Sequence, residues 1–78
     1  MISMMISKDF FLSSEYIELF KLLKLLRFAQ SGAHAKLLIE NGEIRLNKVI
    51  ENRKRAKLKP GDVVGFGDYQ VTIKQSES

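Results

Sequence analysis

Apolar residues recur along this chain with two different periods, and the switch between them separates a helical front from an extended back. Phe10, Phe11 and Leu12 form a short aromatic run that stops at Ser13-Ser14, which reads as a strand over about 8–12 followed by a helix start. From about 15 to 28 the spacing is helical. At 100° per residue Tyr16, Leu19, Phe20, Leu22, Leu23 and Leu26 fall on one arc of about 160°, wide enough for a core face. Ser13 or Ser14 is placed to cap this helix. Glu15 and Glu18 then sit in its first turn and Lys21, Lys24 and Arg27 in its later ones, each sign where the helix dipole favours it. Ile17, Leu25 and Phe28 project from the opposite side, so that side is expected to lie under the N-terminal strand or another element. The alternative is a protein-binding patch formed by these three residues.

Gln30-Ser31-Gly32 interrupts the pattern. Ser31 is placed to cap a second helix ending near Asn41, with Gly42 supplying the left-handed residue beyond it. Ala35, Leu38 and Ile39 share a face, and the small Ala35 allows close approach, so the two helices are expected to form a hairpin. After Gly42 the period falls to 2. Ile44 and Leu46 alternate with Glu43 and Arg45, and Val49-Ile50 begin a return strand, giving a β-hairpin over 43–51 turned at Asn47-Lys48. A two-residue turn wants positive φ at both central residues, where a lysine costs on the order of 1 kcal/mol. Either the loop is longer, or Lys48 is tolerated for another reason. Lys59-Pro60-Gly61-Asp62 is a further turn signal, and Val63, Val64 and Phe66 form a strand that Gly67-Asp68 turns into Tyr69, Val71 and Ile73. Residues 75–78 are expected to fray.

Composition narrows the chemistry. Seventy-eight residues, 45% of them apolar, suit one folding unit over 1–78 with a small core and marginal stability. Without cysteine there is no disulfide, thiolate metal site or cysteine nucleophile, and one histidine supplies too few nitrogen ligands for a transition metal. Paired carboxylates, a nucleophile with its base and a Gly-rich nucleotide loop are all missing, so neither an enzyme nor a cofactor is expected. The start of the chain does not read as a signal peptide and no apolar window is long enough to span a bilayer; a cytoplasmic, monomeric protein is the expectation.

Charge is segregated. Residues 1–20 and 60–78 each carry a net −2, whereas residues 21–59 hold eleven cations against three carboxylates, a net +8. A positive field concentrated in this way points to a polyanion. Its strongest part is Arg53-Lys54-Arg55 with Lys57 and Lys59, five cations in seven residues, where guanidinium forks suit phosphate oxygens. A second candidate is the entrance to helix two, Ser31-Gly32-Ala33-His34-Ala35-Lys36. Free amides at a helix start attract anions, Gly32 leaves room for a phosphate, and His34 and Lys36 lie within a turn of it.

The ordered set Ser31-Gly32, Ala35-Lys36, Leu38-Ile39, Gly42, Ile44, Leu46-Asn47, Glu51, Arg53-Lys54-Arg55, Lys57 and Gly61-Asp62-Val63-Val64 resembles the S4-type RNA-binding domain. The Ser-Gly opening, the Ala-Lys pair and the Glu-x-Arg-Lys-Arg run resemble its small stand-alone bacterial members, over about residues 15–66. The resemblance implies an α+β αL fold, two helices packed on a small, mostly antiparallel sheet, and a non-catalytic protein that holds structured RNA, most plausibly ribosomal. It also implies an RNA site made of Ser31, Gly32, His34, Lys36, Lys48, Arg53, Lys54, Arg55 and Lys57. Two departures stand out. Many such domains carry arginine where this chain has Gly32, and Asn-Gly where it has Asn47-Lys48, so Lys48 is expected to compensate for the missing arginine. With Phe10, Phe11, Phe20 and Phe66 assigned to the core, phosphates rather than stacked bases carry the affinity. About five neutralised phosphates correspond to a log–log salt slope near −3.5 on single-stranded RNA. A protein adaptor using Ile17, Leu25 and Phe28, and a DNA-binding module, are the alternatives.

Overall fold

The computed structural model describes residues 5–76. Its elements are β1 (Ile6–Leu12), β2 (Ile17–Glu18), α1 (Leu19–Leu25), α2 (Gly32–Glu40), β3 (Ile44–Leu46), β4 (Val49–Ile50), β5 (Lys57–Leu58), β6 (Val63–Phe66) and β7 (Tyr69–Gln75). Five strands form one sheet in the order β1-β7-β6-β3-β4, antiparallel except where β1 runs parallel to β7, and β2 pairs with β5 in a separate two-stranded ribbon. Two helices on a mostly antiparallel sheet make this the expected α+β fold.

Helix α1 is much shorter than its periodicity suggests. Its first residues are diverted: Ile17 and Glu18 pair with Leu58 and Lys57, so the chain is extended until Leu19. No serine caps it. The N–H groups of Leu19 and Phe20 instead donate to the carbonyls of Ala56 (2.9 Å) and Lys54 (3.1 Å), so a segment far along the chain supplies the acceptors. Glu15 and Glu18 therefore precede the helix rather than occupying its first turn, and Tyr16 is exposed instead of joining the core. At the other end Arg27 adopts φ 63°, while Phe28 N–H reaches Leu23 O (3.0 Å) and Arg27 N–H reaches Lys24 O (3.1 Å). This left-handed stop ends the helix before Phe28 and swings that ring onto Phe66 and Tyr69, at centroid distances of 5.1 and 4.9 Å.

Helix α2 matches its signals closely. Ser31 Oγ accepts from His34 N–H (3.1 Å), and Gly42 takes φ 73° while Glu43 N–H returns to Leu38 O (3.1 Å). Leu19, Leu22 and Leu23 of α1 meet Ala35, Leu38 and Ile39 of α2 above Ile44, Val64, Val71 and Ile73 of the sheet, with Leu58 closing the edge. Phe10 and Phe66 pack against this core as expected, but Phe11 does not: it alternates to the opposite face of β1 and is 61% exposed. The last strand outruns expectation too. Gln75 pairs with Leu12 and Ser76 N–H donates to Leu12 O (2.9 Å), against the fraying expected of both; residues 77–78 lie outside the described residues.

The hairpin between β3 and β4 is the tight form. Leu46 pairs directly with Val49, and Asn47 and Lys48 take φ 52° and 74°. Asn47 is anchored: its Oδ1 accepts from Val63 N–H (2.9 Å), its Nδ2 donates to Asp62 Oδ1 (3.2 Å), and its own N–H reaches Val63 O (2.7 Å). Turn geometry is thus imposed from β6, and Lys48 is carried into a conformation it does not prefer. Asn47→Ala is expected to destabilise the fold by about 1–2 kcal/mol through the lost side-chain bonds, whereas Lys48→Gly stabilises it by about 0.5–1 kcal/mol. Urea denaturation midpoints check both signs.

Candidate nucleic-acid interface

The backbone bonds that cap α1 also position the basic segment. Because the carbonyls of 54 and 56 hold Leu19 and Phe20, Arg55 is brought beside Glu18 and the Phe20 ring, while β5 extends away against β2. Arg53, Arg55, Lys57 and Lys59 line one open groove with Ala56 at its floor. Lys57 Nζ stands 4.9 Å from the centroid of the Tyr16 ring. Among the described residues no carboxylate oxygen lies within 4.0 Å of the Lys57 or Lys59 ammonium.

Phe20 joins this groove to the entrance of α2. Its ring is half-buried on the core, and Lys36 Nζ (5.1 Å), Arg55 Cζ (5.6 Å) and Lys21 Nζ (6.0 Å) surround its centroid. A Cβ at Gly32 would touch the same ring at 3.9 Å, an ordinary contact, so glycine is not sterically required there. The two stretches singled out in the sequence, 31–36 and 53–57, therefore meet around an aromatic ring that periodicity assigned to the core. At His34 the ring is engaged locally, Nδ1 accepting from Gln30 N–H (3.1 Å) while the backbone N–H bonds Ser31.

Three cations of the run, and Lys21 beside it, meet carboxylates that the run by itself does not reveal. Glu51 holds Arg53 at both ends of its fork, Oε2 to Nε at 3.0 Å and Oε1 to NH2 at 2.9 Å, and Oε2 also accepts from Arg53 N–H (3.0 Å). Lys54 turns out of the groove to Glu40 at the end of α2 (2.9 Å). Glu18 lies between Lys21 (3.2 Å) and Arg55 (3.8 Å). In each pair the cation stays open to solvent, which screens the attraction, so these contacts orient the cations more than they neutralise them.

Two expectations are corrected. Lys48 does not extend the groove or replace an arginine at Gly32: it lines a separate cleft with Met5, Arg45, Val63, Gly65, Tyr69 and Gln70. The adaptor patch does not assemble either. Ile17 lies in β2 against the core, Phe28 stacks on Phe66 and Tyr69, and only Leu25 remains strongly exposed. Residues overlooked by sequence reasoning are Phe20, Lys21 and Tyr16. Lys21 was signalled only by its place in the basic middle segment, and Phe20 and Tyr16 only by the surplus of apolar side chains on one helix.

Fold and surface together define a class: over residues 10–74 the chain matches the family model described as the S4 domain, and it belongs to that family. Among its relatives, "Putative RNA-binding protein YbcJ" of Escherichia coli (strain K12) is 38% identical over 58 residues, covering 74% of this chain and 83% of that protein. "Probable ribosome maturation protein RlbA" of Bacillus subtilis (strain 168) is 41% identical over 63 residues, 77% of this chain and 89% of that one. The solution structure of E. coli YbcJ, described as revealing an αL motif involved in RNA-binding, superposes with a TM-score of 0.62 at 32% identity, covering 95% and 92% of the two chains.

The Glu51 carboxyl sits below its ordinary pKa, chiefly through the side-chain hydrogen bond from Arg53; burial opposes this, and the Arg53 and Asn52 N–H groups and the Arg53 charge add to it. A depressed folded-state value means that the pair stabilises above the unfolded carboxylate range and loses that contribution as pH falls through the lower folded value. Arg53→Ala is expected to move the Glu51 midpoint upward. Side-chain carboxyl NMR resonances followed against pH measure the shift.

Proposed function

We propose that this protein binds structured RNA, ribosomal RNA in particular, by its sugar-phosphate backbone. The observation that carries this reading is the continuous basic surface from Lys36 and Lys21 around Phe20 to Arg55, Lys57 and Lys59. Arg55, Lys57 and Lys59 supply direct phosphate contacts, and Arg53 joins them with the part of its guanidinium that Glu51 leaves free. Lys54, engaged with Glu40, contributes to the field rather than to contact. Ser31 acts by capping α2, and Gly32 leaves the helix entrance open beside Phe20. The kinship with proteins named for RNA binding and for ribosome maturation supports the choice of RNA over DNA and points toward the ribosome.

No step of this binding calls for bond chemistry in the groove, and the protein acts as a non-catalytic binding module. About four phosphates neutralised by the groove give a slope of log affinity against log salt near −3 on single-stranded RNA and about −3.6 on paired regions. Fluorescence anisotropy with a ribosomal RNA fragment, with duplex DNA as competitor, tests it. Replacing both Arg55 and Lys57 by alanine is expected to lessen the slope by about 1.4 and weaken all RNA ligands alike. A flat salt dependence, or equal competition by DNA, would discard the reading.

A further inference from the structure

The face of the main sheet turned away from the helices carries a cleft of about 260 Å³, and two local rules of sequence are broken at its wall. Lys48 occupies a turn position with φ 74°, where glycine is strain-free. Gly65 occupies the interior of β6, where a β-branched residue is the favourable choice and a glycine marks close approach by another group. Both departures serve one place. Local rules fail at functional sites more than elsewhere, because the cost is tolerated only where something offsets it.

The approaching group is Arg45. It stands opposite Gly65 in the β3–β6 register, and Gln70 follows opposite Gly65 on β7, so the three form one row across the open face. A Cβ on residue 65 would lie 3.2 Å from Arg45 Nε and 3.3 Å from NH2, so even alanine would nudge the guanidinium by a few tenths of an ångström and a branched side chain would push it further from the strand. Arg45 NH2 donates to Gly67 O (3.2 Å), which holds the group across the strand. That bond uses one of the five N–H donors and ties the group down beside Gly65, leaving its remaining donors and its planar face for a ligand. Such a face stacks on nucleobases. Beside it stand an amide, Gln70, able both to donate to and to accept from a base edge, and an ammonium, Lys48. Met5 and Val63 add apolar walls, and the volume falls below that of a drug-sized pocket while suiting one planar group.

We propose that this cleft holds a single unstacked nucleotide, its base on the Arg45 guanidinium and against Gln70, its phosphate at Lys48. The site is separate from the basic groove and does not rest on it: none of its lining residues lines that groove. The nucleotide is either free or an unpaired residue of an RNA chain, and the two sources share this chemistry.

Amide chemical-shift titration of the labelled protein with adenosine 5′-monophosphate, with a tetra-adenylate and with a glutamate-rich peptide tests the proposal. Saturable shifts at Arg45, Lys48, Gly65 and Gln70 with the nucleotides are expected. Tighter binding of the tetramer identifies an RNA residue, and equal binding identifies a free nucleotide. Arg45→Lys, which keeps the charge and removes the plane, is expected to weaken binding by roughly tenfold, as is Gly65→Val. Lys48→Gly is expected to weaken it severalfold while raising the melting midpoint, a combination that loss of structure cannot produce. Arg55→Ala with Lys57→Ala leaves monophosphate binding unchanged even where it abolishes the groove's affinity. The proposal fails if the nucleotides leave these four amides unmoved, if only the acidic peptide moves them, or if Arg45→Lys binds as the parent does. Should Gly65→Val unfold, Arg45→Lys still decides the matter.

Discussion

Two backbone hydrogen bonds, from the amides of Leu19 and Phe20 to the carbonyls of Ala56 and Lys54, tie the first helix to the basic segment. A helix start leaves donors without partners, and buried donors must be satisfied. In this protein the acceptors come from the segment 53–56 rather than from a serine nearby. The bond that begins the helix is therefore also the bond that places Arg55 next to Phe20. Ribbon pairing between β2 and β5 continues the same attachment, burying Leu58 and half-burying Ile17 against the core while Glu18 stands opposite Lys57. Core formation and assembly of the basic surface are in this sense one event.

The surface so made is more ordered than a count of lysines and arginines implies. Glu18, Glu40 and Glu51 come from three different elements or their edges and meet Arg55, Lys54 and Arg53. Glu51 fixes the direction of Arg53, and Glu40 withdraws Lys54. What remains directed outward is a line of cations flanked by Tyr16 and Phe20, whose rings fix the ammonium and guanidinium groups in place at modest energy. An extended polyanion fits such a line better than a point charge does, since each phosphate along it releases counterions.

The sheet faces divide the labour. Ile44, Val64 and Val71 turn to the helices, and their alternating neighbours Arg45, Gly65 and Gln70 form a polar row on the other side. Because the period of a strand is two, the core requirement on one face leaves the other free to be specialised. Asn47 makes that specialisation possible at the hairpin, where its bonds to Val63 and Asp62 hold Lys48 in a left-handed conformation.

Much of this was legible in the residues. Ser31 and Gly42 mark the ends of α2 because caps are local chemistry, the alternation after Gly42 marks β3 because one face must be buried, and the segregated charge marks the basic surface because it depends only on the order of charged residues along the chain. The first helix misled because Tyr16 fits its period as well as Leu19 does, while Ile17 and Phe28 lay off the core arc, and period cannot tell a helical residue from one captured by a distant strand or turned aside by a left-handed stop. Glu40 opposite Lys54, Phe20 under Lys36 and Arg55, and Arg45 across from Gly65 are pairings between residues far apart in the chain. Local propensity and spacing act over a few residues, whereas these contacts exist only once the elements have packed, so tertiary structure alone decided them.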